Sequence, residues 1–266
     1  MDSMAAYVPQ DRRQALAHGR HLADRTDGTA LFADISGFTP LTEALRLTLG
    51  PRQGSEAISD HLNRTYTALI AQVDAYQGSV IGFAGDAITC WFDEADGPAA
   101  PRAVACAVAL QRTMAAGARI PLPGGGTATL ALKVALACGP ARRLVVGDPA
   151  IQRLDLLAGA TVARVAVGEH HAVAGEIMLD AACVAAMGAT VLIGDWRDDA
   201  RAVARVWRSP APRAVARRIG GRPAPDGAAA VALACRVCAR TGRIRHLSHR
   251  VAARRRALSA LRRHCL

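Results

Sequence analysis

Ala30, Leu31, Phe32 and Ala33 form an unbroken apolar run that stops on an acid, Asp34, and then on a tight turn, Ile35-Ser36-Gly37-Phe38-Thr39. A short run closed by glycine predicts a buried strand followed by a loop that opens a helix. Thr39 and Pro40 stand where an N-cap and a first helical residue are expected. That helix should stop at Gly50-Pro51. A second one, over about 54–76, carries Ile58, Leu62, Tyr66, Leu69, Ile70 and Val73 on one stripe and ends at Gly78. Two β-rich runs, 79–84 and 87–92, meet at Gly85-Asp86, a hairpin signal. An alanine-rich helix over 99–116 turns Val104, Val108 and Leu110 inward, and the glycines of the loop tip 121–126 match no phosphate-loop spacing. Further on, 127–138 alternates as a strand, Gly139-Pro140 reads as a turn and 141–146 as another strand. A polar loop over 147–157, a helix over 159–173, a strand over 176–179 and a closing pair, 191–194 with 203–207, complete the order. Helices interleaved with mostly antiparallel strands predict an α+β fold, and the ferredoxin-like split βαβ arrangement, its sheet covered by helices, fits it.

Asp34 stands at the end of a buried strand, where a carboxylate costs free energy unless a cation, an arginine or several N–H groups compensate it. The turn that follows offers backbone N–H groups at a helix start, where anions bind. Asp86 sits at a hairpin turn of the same small domain. Each acid has a plain structural reading, Asp34 as a helix cap and Asp86 as a turn residue. Together, at strand edges of one domain, they are able to share a divalent ion.

FADISGFT and GFAGDAITCWF resemble the two metal-binding motifs of class III nucleotidyl cyclase catalytic domains, and look most like the soluble, bicarbonate-type adenylyl cyclases and their bacterial relatives. The resemblance runs over about 27–207. It implies two Mg²⁺ or Mn²⁺ ions held by Asp34, Asp86 and the Ile35 carbonyl, with the backbone of Ser36, Gly37, Phe38 and Thr39 cradling a triphosphate. The implied reaction is attack of the ribose 3′-OH of ATP on its α-phosphorus, giving cyclic AMP and pyrophosphate. One ion lowers the pKa of the hydroxyl and the other clamps the β- and γ-phosphates.

The same resemblance exposes what is missing. The family's purine-reading lysine, four residues before the second aspartate, is Gly82 here. Its ribose-orienting asparagine is Ala163, and its transition-state arginine is Val167. Arg164 lies three residues too early on the helix and should point elsewhere. Lys133, on a different strand, is not expected to substitute. Loss of such a transition-state cation costs roughly a thousandfold in rate or more. The expectation is therefore the metal-bearing half of an asymmetric pair, serving cyclic nucleotide signalling and nearly inactive alone. It needs a complementary cyclase domain, since a homo-oligomer would carry metal halves only. The alternative is an inactive cyclase-homology module that regulates or dimerises. Adenine is preferred over guanine on the resemblance alone.

Charge divides the 266 residues. Of 33 basic and 22 acidic residues, 15 arginines and one acid, Asp226, fall in 208–266, so that segment carries about +14 and 1–207 about −3. Lys133 is the one lysine in the chain. The expected organisation is a polar lead-in over 1–26, the cyclase-like domain over 27–207 and a poorly ordered basic tail over 208–266, either native or read out of frame. The tail lacks interleaved aromatic residues, so specific nucleic-acid binding is not expected, only salt-sensitive, non-specific contact. Cys235, Cys238, His246 and His249 are too closely spaced for an ordinary zinc module. His170 and His171 read as solvated. No apolar run reaches membrane-spanning length, and the first residues do not read as a signal peptide. A cytoplasmic protein with reduced cysteines is expected.

Overall fold

The computed structural model describes residues 8–148, 150–197 and 204–208. The chain divides into two units, Met1–Pro223 and Ala224–Leu266, and every described residue belongs to the first. The tail readings, including the Cys235/His246 group, lie outside the described residues.

The apolar run around Leu31 becomes the middle of β1 (Arg25–Ser36), which pairs antiparallel with β3 (Ala87–Asp93) on one edge and β6 (Ala131–Val146) on the other. β2 (Ser79–Ala84) forms the predicted hairpin with β3. Beyond β6 lie β8 (Ile177–Leu179), β10 (Ala204–Arg208) and β9 (Leu192–Trp196), giving the order β2-β3-β1-β6-β8-β10-β9. The far end of β6 pairs with β7 (Leu154–Ala158). Among the described strands, β6 with β8 is the parallel pair. The fold is α+β, as expected.

Strand alternation sorts β1 onto two cores. Leu31, Ala33 and Ile35 face a core shared with α2 (Phe38–Ala75), α3 (Ala99–Gly117) and α5 (Ala181–Met187). Ala30 and Phe32 face the other core, with Ala135 and Ala137 of β6 and Val165 of α4 (Ala160–His171). Asp34 and Lys133 belong by alternation to this second face. A short helix α1 (Gln10–Ala17) is tied to the sheet through Asp11, which accepts from buried Arg143 of β6; Arg143 also bonds Asp155 of β7.

α2 spans both predicted helices and kinks between them, where Gly50 takes φ 79° and ψ 171°. Its N-cap is Gly37 and not Thr39. Gly37 adopts φ 101°, and a Cβ there would lie 2.4 Å from the Thr129 carbonyl oxygen, so only glycine reverses the chain this tightly. Gly139-Pro140 is likewise no turn. β6 runs straight through it, with Gly139 opposite Gly28 and Pro140 opposite Asp27. The missing side chain of Gly139 instead admits Arg164 and Thr161 from α4, which a Cβ would approach to 3.0 and 3.1 Å. β7, α5 and β4 (Arg119–Pro121) are elements the sequence did not announce, and the strand expected over 127–138 is divided between β5 (Thr127–Thr129), which pairs with β4, and the start of β6. Asp180 starts α5 by accepting the Cys183 N–H at 2.8 Å.

Cys138 of β6 and Cys183 of α5 are disulfide-bonded, which corrects the expectation of reduced cysteines for this pair. They are 45 residues apart and meet because β8 returns the chain alongside β6. Cys90 and Cys106 are free and buried, and burial pushes both thiols well up.

Gly37→Ala should lower unfolding free energy by about 1–3 kcal/mol, from the left-handed backbone alone. Urea denaturation of wild type and variant measures it, and an unchanged midpoint would show that the turn relaxes.

Candidate metal and nucleotide site

Asp34 lies near the end of β1, directly opposite Ala87 of β3 and Lys133 of β6. Asp86 occupies the β2–β3 turn one residue before Ala87, and its backbone carbonyl accepts the Ile35 N–H at 3.3 Å. The strand pairing thus brings Asp34, Ile35 and Asp86 together from two distant stretches of chain. Asp34 is half-buried, with 19% of its side chain exposed, and Asp86 is exposed.

Tyr66 of α2 stands close enough to both acids to feel their charge. Burial first, then Asp86 and Asp34, raises its phenol above the ordinary value. Its hydroxyl is buried without a hydrogen-bond partner, and its ring packs edge-on against Phe83 of β2 at 5.5 Å. Two hard carboxylate donors beside an orphaned phenol suit a divalent, oxygen-seeking ion such as Mg²⁺ or Mn²⁺.

Lys133, which is not expected to substitute for the missing cations, lies against Asp34. Its Nζ lies 3.0 Å from Asp34 Oδ2 and donates to Glu169 Oε1 of α4. The β1–β6 pairing puts residues directly opposite one another within side-chain reach, which is how Lys133 meets Asp34. The hydrogen bond to Glu169 is the main cause that raises the Lys133 pKa, ahead of burial, which opposes it, and of Asp34. Tyr66, Lys133 and Glu169 were missed as site residues. The one lysine of an arginine-rich chain was the available signal for the second.

At the predicted phosphate cradle, Ser36 Oγ donates to the Ala131 carbonyl at 3.3 Å, and Phe38 is buried while Thr39 is exposed. Gly37 caps α2 with no side-chain acceptor. The first-turn amides therefore keep their capacity to bind an anion. An open hollow of about 360 Å³ beside this turn is lined by Phe38, Thr39, Thr42, Glu43 and Arg46.

The remaining sequence-predicted positions carry no polar group toward this cluster. Gly82 is on β2, and Ala163 and Val167 are on α4, exposed and half-buried respectively. Arg164 is directed elsewhere, as its spacing indicated, to Asp180 Oδ2 at 2.8 Å and the Cys138 carbonyl at 2.6 Å. His170 is exposed and stacks edge-on against His171.

No protein-family model matches the chain. A 69-residue segment, 26% of the chain, is 36% identical to human adenylate cyclase type 10 and covers 4% of that relative's length. The adenylyl cyclase CyaB from P. aeruginosa is 22% identical, with a TM-score of 0.55 over 70% of this chain and 95% of that one. The guanylate cyclase domain of RhGC from Catenaria anguillulae, solved in complex with GTP, is 18% identical, with a TM-score of 0.56 over 71% and 100% of the two chains.

Tyr66 and Lys133 both hold their protons more tightly folded than unfolded, so their contribution is complete below the unfolded values of 10.0 and 10.5 and is lost as pH rises through the folded ones. Stability should fall on raising the pH above about 10, and the fall should be shallower in Tyr66→Phe. Urea midpoints across that range test this, and a flat profile would contradict it.

Proposed function

We propose, on the premise that this chain has the fold of the class III adenylyl and guanylyl cyclase catalytic domains, that it is the metal-bearing half of an adenylate cyclase. It would convert ATP to cyclic AMP and pyrophosphate together with a complementary domain. The observation that carries this reading is the β1–β3 pairing, which sets Asp34 opposite Ala87, the residue next to Asp86, and bonds the Ile35 N–H to the Asp86 carbonyl.

Asp34, Asp86 and the Ile35 carbonyl would hold two Mg²⁺ or Mn²⁺ ions. When bound, such ions lower the pKa of the ribose 3′-OH and neutralise charge on the phosphates. The chain's own part is to bind and orient. The uncapped amides of Gly37, Phe38 and Thr39 receive phosphate oxygens, and the half-buried setting of Asp34 keeps bulk water from that carboxylate. Adenine is the base assigned, on the likeness to adenylate cyclase type 10.

At the matched positions Gly82, Ala163 and Val167 offer neither a base-reading cation, a ribose amide nor a transition-state guanidinium. A second domain must bring them. The β6–β7 region supports such a partner, because Leu144 and Val146 stand opposite Leu156 and Leu154 with all four exposed, an apolar patch of the kind that marks an interface. Among the described residues no helix is long and apolar enough to cross a membrane, and the reading puts the domain in the cytoplasm with its nucleotide. An inactive regulatory module is the second reading. What favours it is the Lys133 ammonium, which already pairs with Asp34.

In Mn²⁺ or Mg²⁺ the purified chain should bind ATP, and Asp34→Ala or Asp86→Ala should weaken binding at least tenfold. Turnover alone should be roughly a thousandfold below that of the chain mixed with a complementary cyclase domain. Isothermal titration and cyclic AMP formation measure the two. Metal-independent nucleotide binding would favour the inactive module, and fast turnover by the isolated chain would refute the need for a partner.

A further inference from the structure

Lys133 and Glu169 are not accounted for by the proposed chemistry, yet Lys133 pairs with Asp34 and Glu169 pairs with Lys133. Lys133 stands on β6 directly opposite Asp34, its ammonium 3.0 Å from Oδ2, and its other bond goes to Glu169 on α4. All three side chains are about one-fifth to one-quarter exposed, so the cluster is shielded without being sealed. The order of charges is acid, ammonium, acid.

A carboxylate cannot give its full charge to a divalent ion while an ammonium sits against it, because the ion and the ammonium repel each other at that range. The lysine therefore competes with any cation for Asp34. It also has somewhere to go. Glu169 is already within its hydrogen-bonding shell, so the ammonium can shift its weight from one acid to the other without being left unpaired, which would be costly in a half-buried setting.

We infer that Lys133 is a built-in counter-ion that holds the metal position of Asp34 in reserve, and that Glu169 is the acceptor that releases it when a divalent ion arrives. Both are positioning residues. The inference rests on the reading of Asp34 as a metal ligand and adds a means by which metal occupancy is set from α4, the helix that also carries Ala163 and Val167. Movement of α4 would change the share of Lys133 that Glu169 holds, and with it the affinity for the ion.

The test is Mn²⁺ binding to the full chain without nucleotide, followed by electron paramagnetic resonance of the free ion, with circular dichroism to confirm that each variant is folded. Lys133→Gln should bind Mn²⁺ about tenfold more tightly than wild type, because the competitor is gone. Glu169→Gln should bind about threefold to tenfold more weakly, because the ammonium then has Asp34 alone. In the double variant, Glu169→Gln should change affinity by no more than about twofold, since its effect acts through the lysine. A merely structural role would weaken binding in both single variants and would not produce opposite signs. If Asp34→Asn abolishes binding while both single variants match wild type, the counter-ion device is wrong and the metal reading stands. If Asp34→Asn leaves binding unchanged, the metal reading fails and takes this inference with it.

Discussion

Continuous antiparallel pairing of β1 with both of its neighbours is the constraint on which the site depends. β1 meets β3 from Gly28 to Asp34 and β6 along its whole length from Arg25 to Ser36. This double ladder leaves no freedom of register, because a slip of one residue would exchange Leu31, Ala33 and Ile35 for Ala30, Phe32 and Asp34 between the two cores. With the register locked, Asp34 must lie opposite Ala87, Asp86 must stand one step beyond, and Lys133 must face Asp34 from the other side. The chemistry of the cluster follows from the hydrogen-bonded ladder, and no loop has to find its place for it to form.

Electrostatics then decides how such a cluster remains charged. Asp34 is paired with Lys133, and Lys133 with Glu169, so the charges of this half-buried cluster are mutually compensated. Tyr66 shows the other side of the balance. Its hydroxyl is buried without a partner, and burial first, then the charges of Asp86 and Asp34, makes it keep its proton more firmly. Elsewhere the scaffold holds its buried cations on acids and backbone carbonyls. Arg143 is shared between Asp11 and Asp155. Arg102 donates to the carbonyls of Gln77, Asp93 and Gly97, tying α3 to the ends of β3 and α2. These bonds tie the sheet together at the end opposite to Asp34 and Asp86.

Local signals carried the elements whose identity is settled within a few residues. The apolar run before Asp34, the Gly85-Asp86 hairpin, the stripe through Tyr66 and the break at Gly50 were all legible because strand alternation, turn chemistry and helical period are short-range properties. Gly139-Pro140 misled for the same reason. Glycine and proline usually mark a turn, but here the glycine makes room for Arg164 and Thr161 of a helix some twenty residues away, and pairing with β1 carries the strand through. β7 and α5 are short and owe their form to what they dock against, which no local window contains.

The residues of this chain determined by themselves that one acid would stand near a strand end and another at a hairpin turn of an α+β domain, that a glycine turn would open a helix beside the first, and that Gly82, Ala163 and Val167 would contribute no polar groups. Those are matters of residue type and spacing. That Lys133 lies against Asp34, that Glu169 reaches it from α4 and that Cys138 meets Cys183 was decided by the tertiary structure alone. Contacts between residues 36 to 99 positions apart depend on strand order and register, and these are set by burial of the whole sheet between its helices and not by any stretch of sequence read singly.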